Sequence, residues 1–170
     1  RDIHSKGAPT QEEVEKYQAA ALRILGKKYA ERGWVMQLHY GILRDMNSKM
    51  AAGLGSGAGF DCISASSDGE GLALLLDLLS REEALPKTVV SSMNPSDQVV
   101  IGSILGAFQT EDEGHLQLGP SWWINQTPLG IRAQLGYMAS LGIIGTAIGF
   151  STDARSALFW PRHEYYRRIL

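Results

Sequence analysis

Cysteine is nearly absent: the 170 residues hold one, Cys62, which excludes an internal disulfide framework and fits a reducing compartment. Neither sign of charge is in excess. Lys and Arg number 16 against 18 Asp and Glu, a formal net charge of −2, so no basic patch calls for nucleic acid or a membrane surface as partner. No apolar run approaches the ~20 residues of a membrane span. The polar opening Arg1-Asp-Ile-His-Ser-Lys-Gly7 has no signal-peptide core. These absences set the expectation of a cytoplasmic protein. An initiator methionine is also missing, and the chain stops at Arg167-Arg-Ile-Leu170 within a helical pattern. Both ends therefore read as interior to a longer chain.

What is there suffices for one domain over 1–170: apolar residues make up 44% and charged residues 20%, as in ordinary globular proteins with a real core. Thr10 followed by Glu12 and Glu13 predicts a helix start, with Val14, Tyr17, Ala21, Leu22, Leu25 and Tyr29 at helical spacing and Gly33 as its stop. Trp34 to Tyr40 predicts a first strand ending near His39. Gly41 to Ser67 reads as a long rim loop with a short helix around Ile42 to Ala52. Its run Gly53-Leu-Gly-Ser-Gly-Ala-Gly59 lacks the Lys-Ser/Thr of a phosphate loop and the strand-to-helix setting of a dinucleotide loop, so the glycines supply turn geometry.

Asp68 opens a helix with Leu72, Leu75, Leu76 and Leu79 as its buried stripe. A second strand, Lys87 to Met93, leads to a helix capped by Ser96 or Asp97 and running through Val100, Ile104, Leu105 and Phe108. A third, Gly114 to Gly119, closes on Pro120-Ser-Trp-Trp123. A helix follows from about Leu129 to Leu141, then a fourth strand, Thr146 to Phe150. Pro161 starts the last helix, where Arg162, His163 and Glu164 read as helix-start electrostatics. Strand–helix alternation of this kind predicts a parallel α/β sheet with helical crossovers. The pattern leaves open half of an eight-unit barrel or a doubly wound open sheet.

In parallel α/β folds ligands meet the C-terminal strand ends. The run Thr146–Phe150 ends at once in Ser151, Thr152, Asp153 and Arg155. Charged groups are costly inside a strand but acceptable at its open end. Locally, Asp153 and Arg155 fit either rim chemistry or a helix cap with a surface arginine. His39 fits a rim ligand or a structural histidine, and Trp122 and Trp123 fit a pocket wall or core packing.

Taken together, Trp34-Val-Met-Gln-Leu-His39 with Arg44, Met93-Asn-Pro-Ser-Asp97, Ser121-Trp-Trp123, Ser151-Thr-Asp-Ala-Arg-Ser156 and Arg162-His-Glu-Tyr-Tyr-Arg-Arg-Ile-Leu170 resemble uronate isomerase, also called glucuronate isomerase, of the amidohydrolase superfamily. The resemblance runs from about Thr10 to Leu170. It implies a TIM-type (β/α)8 barrel of which this chain is the half carrying strands five to eight. The family's metal-binding His-x-His has no counterpart here, since neither His4 nor His115 has a histidine two residues away.

The implied reaction interconverts aldose and ketose hexuronates: D-glucuronate with D-fructuronate, or D-galacturonate with D-tagaturonate. The implied roles are Asp153 as base, metal ligand or both, Arg155 as catalytic donor to an enediolate or carboxylate, and His39 as metal or substrate contact. Arg44 would meet the substrate carboxylate, and Trp122 and Trp123 would wall the sugar pocket. The implied cofactor is a divalent metal, with zinc first and manganese and iron also compatible with imidazole and carboxylate, and no organic cofactor. The expected partners are the hexuronate and further copies of the same chain, with neither nucleic acid nor membrane. The alternative is a non-catalytic half-barrel, or a divergent sugar-acid-binding relative, that self-associates through open strand edges.

Overall fold

The computed structural model describes residues 8–65, 68–112, 114–151, 154 and 156–170. Helix α1, Gln11–Glu31, begins at a capping box: Glu13 donates its N–H to Thr10 Oγ1 at 3.3 Å, and Thr10 N–H donates to Glu13 Oε2 at 2.9 Å. The expected apolar stripe is not its buried face. Tyr17, Leu22 and Leu25 are exposed, and the buried residue is Gly26, against which Leu79 packs so closely that a Cβ would come within 2.8 Å of it. Docking is completed by Glu82, which takes Arg23 at 2.5 Å and Lys27 at 3.2 Å.

Strand β1, Met36–Tyr40, is followed by a two-residue strand β2, Ile42–Leu43, helix α2, Ser48–Leu54, and strand β3, Cys62–Ile63. The stretch expected as a rim loop is thus an antiparallel β2–β3 hairpin enclosing a helix that starts later than the sequence suggested. Asn47 caps that helix through Met50 N–H, and Gly55 ends it, so the glycine run leaves a helix rather than entering one.

Helix α3, Gly69–Arg81, is capped by Asp68, whose Oδ1 accepts from Gly71 N–H at 2.8 Å. Strand β4, Thr88–Ser92, is buried along its whole length, and helix α4, Asp97–Ala107, follows. Its buried face is Gln98, Ile101 and Leu105, whereas Val100 is exposed. Ser96 makes no side-chain cap; Asp97 instead turns inward and accepts from Ser92 Oγ at 2.5 Å. Strand β5, Leu116–Leu118, and helices α5, Pro128–Leu141, and α6, Pro161–Ile169, complete the regular elements.

The sheet order is β1–β4–β5, all parallel, with His39 opposite Ser91 and Val89 opposite Gln117. Paired residues share a face and successive residues alternate. One face therefore carries Leu38, Tyr40, Val90, Leu116 and Leu118. These join Leu72 and Leu76 of α3, Ile101 and Leu105 of α4 and Met138 of α5 in one core cluster. The other face carries Gln37, His39, Val89, Ser91 and Gln117 and is largely polar. Burial pushes the Tyr40 hydroxyl on the helix side up to about 12, with the nearby Asp97 and Asp68 charges adding to the shift.

The fourth expected strand does not form. Residues Ile144–Thr146 are a 3-10 turn, and 147–151 have no regular structure. This segment lies beside β5 but is held by a side chain instead of a ladder. Gln117 Nε2 donates to Thr146 O at 3.0 Å, and Ile148 N–H donates to Gln117 Oε1 at 3.1 Å. Gly149, at φ 88°, is in a conformation a regular strand does not use.

Candidate functional site

A small cleft of about 90 Å3 opens on the polar face at the C-terminal end of the sheet, lined by Gln37, His39, Ser91, Pro120, Ser121, Trp122 and Ser151. Its walls come from β1, β4, the turn after β5 and the segment beyond α5. Two glycines let the chain leave the sheet tightly here. Gly41, at φ 78°, turns away from β1 so close to β4 that a Cβ would strike Ser92 Oγ. Gly119, just after β5, lies against Ser91 Oγ and donates its N–H to Val90 O at 2.7 Å.

Carboxamides lace the rim. Asn125 Nδ2 donates to Met93 O at 2.6 Å, and Gln134 Nε2 to Gly119 O at 2.7 Å. Gln126 Nε2 donates to Ser151 O at 2.9 Å and Ser121 O at 3.3 Å, while its Oε1 accepts from Arg162 Nη1 at 2.8 Å. Arg162, read from sequence as helix-start charge, thus braces the carboxamide that ties Ser121 to Ser151, two of the three cleft serines. Nothing in the local sequence of Gln126 signals this role, because its partners lie 5, 25 and 36 residues away.

Four of the sequence-derived site residues fall in one file. The His39 ring lies 4.4 Å from that of Trp122, Trp122 lies 6.2 Å from Trp123, and the Arg44 guanidinium stands 5.4 Å over Trp123. His39 and Trp122 line the cleft; Trp123 and Arg44 extend the file away from it. Arg44 is already paired, donating from Nη1 to Asp61 Oδ2 at 2.9 Å. Asp61 was not singled out from sequence; its place just before the extended pair Cys62-Ile63 was the available signal. Asp153 and Arg155, expected at the rim, lie outside the described residues.

The described residues alone do not make a metal donor set. Among the described residues no group of three or more His, Cys, Asp or Glu could hold a metal ion. The described lining of the cleft supplies one imidazole, His39, and no carboxylate. Also among the described residues, no helix is long and apolar enough to cross a membrane.

A family model described as Glucuronate isomerase matches residues 1–170. The chain belongs to the glucuronate isomerase family. It is 45% identical over 160 residues to the uronate isomerase of Clostridium acetobutylicum, covering 94% of this chain and 34% of that protein. Against the uronate isomerase of Halalkalibacterium halodurans it is 44% identical over 162 residues, covering 95% and 34%. Among solved structures, the uronate isomerase of Thermotoga maritima superposes with a TM-score of 0.84 at 32% identity, over 97% of this chain and 35% of that one. The glucuronate isomerase of Caulobacter crescentus gives 0.83 at 26% identity, over 96% and 33%. The chain thus spans about a third of the length of the curated relatives it matches.

Proposed function

We propose that the protein carrying this chain is an aldose–ketose isomerase of hexuronates, acting on D-glucuronate or D-galacturonate. The observation that carries this reading is the family match along the whole chain, 1–170. The polar cleft at the strand ends supports it, because a sugar acid needs convergent polar groups beside an apolar wall. The architecture proposed for the intact protein is a (β/α)8 barrel in which β1, β4 and β5 are strands five to seven and the segment after α5, which forms no ladder with β5, stands in the place of strand eight. Support comes from the helix packing: α3, α4 and α5 share one core cluster on one sheet face, whereas a doubly wound sheet carries helices on both.

The task is to move a proton between neighbouring carbons of an open-chain sugar acid, stabilising an enediolate and gripping a distant carboxylate. Asp153 is assigned as the base and Arg155 as the two-pronged donor to enediolate or carboxylate oxygens, both on the motif Ser151–Ser156. His39 contacts the sugar or a metal, and the Trp122 ring packed on it limits the orientations of the imidazole. Trp122 offers the sugar an apolar wall, and Arg44 is assigned to the carboxylate. A divalent metal, zinc first, would polarise the sugar oxygens; His39 is the described residue that could join it, and no step above depends on it.

The test is an assay of the protein as its gene encodes it on both uronates, with metal analysis of the same preparation. Interconversion of either sugar pair supports the reading; the absence of turnover with both uronates in metal-supplemented, folded protein rejects it.

A second reading, that the 170-residue chain produced alone is a self-associating unit without activity, is favoured by a specific observation. Among the described residues β1 pairs on one side only, and Trp34 and Val35 beside it are 57% and 52% exposed. Unpaired strand edges recruit other chains. Size-exclusion chromatography with light scattering should give a dimer or larger species, and a stable monomer counts against the half-barrel account.

A further inference from the structure

We propose that Asp61 is a positioning residue that aims Arg44 at the carboxylate of a sugar acid, a role that rests on the hexuronate reading above. Leu43 is opposite Cys62 in the β2–β3 hairpin, so Arg44 and Asp61 form the next cross-strand pair beyond it. The Asp61 side chain is 1% exposed, whereas that of Arg44 is 59% exposed. Both carboxylate oxygens are engaged: Oδ1 accepts from Asp45 N–H at 2.7 Å and Oδ2 from Arg44 Nη1 at 2.9 Å.

The anchor is itself tethered. Asp45 sits at φ 51°, a left-handed conformation costly for a residue with a Cβ. Its own carboxylate accepts from Ser56 Oγ at 2.5 Å and Gly57 N–H at 3.1 Å. Those two bonds hold the Asp45 carboxyl below the usual carboxylate range, so the tether is charged at neutral pH.

What Asp61 leaves of Arg44 fits a ligand. One corner of the guanidinium is taken by the carboxylate, and one face lies 5.4 Å over Trp123. Nε and Nη2 have no acceptor among the described residues. A planar guanidinium binds a carboxylate through a pair of parallel N–H groups, and the Nε–Nη2 edge is such a pair. Burying the Asp61 carboxylate carries a desolvation cost that offsets the Coulombic gain of its pair with Arg44, so the pair adds little net stability. Orienting the arginine therefore accounts for a buried, doubly tethered anion better than holding the loop does.

The test is a double-mutant cycle in the protein as its gene encodes it. Asp61→Asn keeps a carbonyl for Asp45 N–H but sets an NH2 against the arginine. Asp61→Asn and Arg44→Met should each raise KM for the hexuronate about tenfold, the size expected for one hydrogen bond to a charged group. Asp61→Asn should leave kcat within about threefold. In the Arg44→Met background Asp61→Asn should add nothing, because residues acting through one contact are non-additive. A fully additive Asp61→Asn effect would mark a structural role and overturn the proposal, and so would a fall in KM, which would mean that Asp61 masks Arg44 instead of aiming it.

Tryptophan emission without sugar separates this from failure of the hexuronate reading. Asp61→Asn should shift emission in the parent protein and leave it unchanged in a Trp123→Phe background. An unshifted spectrum in the parent overturns the placement of Arg44 by Asp61 whether or not uronates are substrates.

Discussion

Asp153→Asn, made in the protein as its gene encodes it, should lower kcat for hexuronate isomerisation by about 10²–10⁴-fold, the range for losing a positioned acid–base group. The substitution preserves shape and removes the function: an amide neither takes a proton from carbon nor offers a charged oxygen to a metal. Because asparagine matches aspartate in size and stays polar, the replacement should leave folding unchanged. Circular dichroism and the thermal midpoint should therefore match the parent while turnover collapses. Near-normal kcat would remove Asp153 from the proton transfer.

Leu76→Ala should cost about 2–5 kcal/mol of folding stability, the range for truncating a buried leucine where the surroundings collapse only partly. Leu76 is 0% exposed and belongs to the cluster that joins α3 to the helix-facing side of the sheet. The loss is large against the roughly 5–15 kcal/mol that separates folded from unfolded domains. Leu74 on the same helix is 69% exposed, and Leu74→Ala should stay within about 0.5 kcal/mol. Urea unfolding of the two variants measures both. Equal effects would mean that α3 presents a different face to the sheet.

The elements that could be read directly are those whose ends are made by neighbouring residues. Thr10 with Glu13 and Asp68 with Gly71 bind groups three residues along, so their helices begin where the sequence says. Thr127 caps α5 through Gly130 N–H in the same way and starts it one residue before the expected Leu129. That helix ends at Gly142, as expected. The run Thr146–Phe150 misled because apolarity fixes neither burial nor pairing: none of its residues is buried, and Ile148 is 60% exposed. A strand needs a backbone partner, and here the neighbouring β5 meets the segment through the side chain of Gln117. The stripe on α1 misled for a related reason: its periodicity is helical, yet the described contact of the helix with α3 runs through Gly26.

The site divides in the same way. His39, Arg44, Trp122 and Trp123 were legible as residue types, and the structure brings them into one file. Their order in that file, and the capture of Arg44 by Asp61 from 17 residues away, were not.

By itself the sequence determined the family, the starts of α1, α3 and α5, the α/β alternation and the identity of the polar residues near the strand ends, because caps act over one turn and motifs are written in residue types. Tertiary structure alone decided which face of the sheet carries His39 and Ser91, which helix faces are buried, and that Asp61 and Gln126 hold the site's parts in place. Those outcomes depend on register and packing between residues distant in the chain, where a shift of one position moves a side chain to the opposite face.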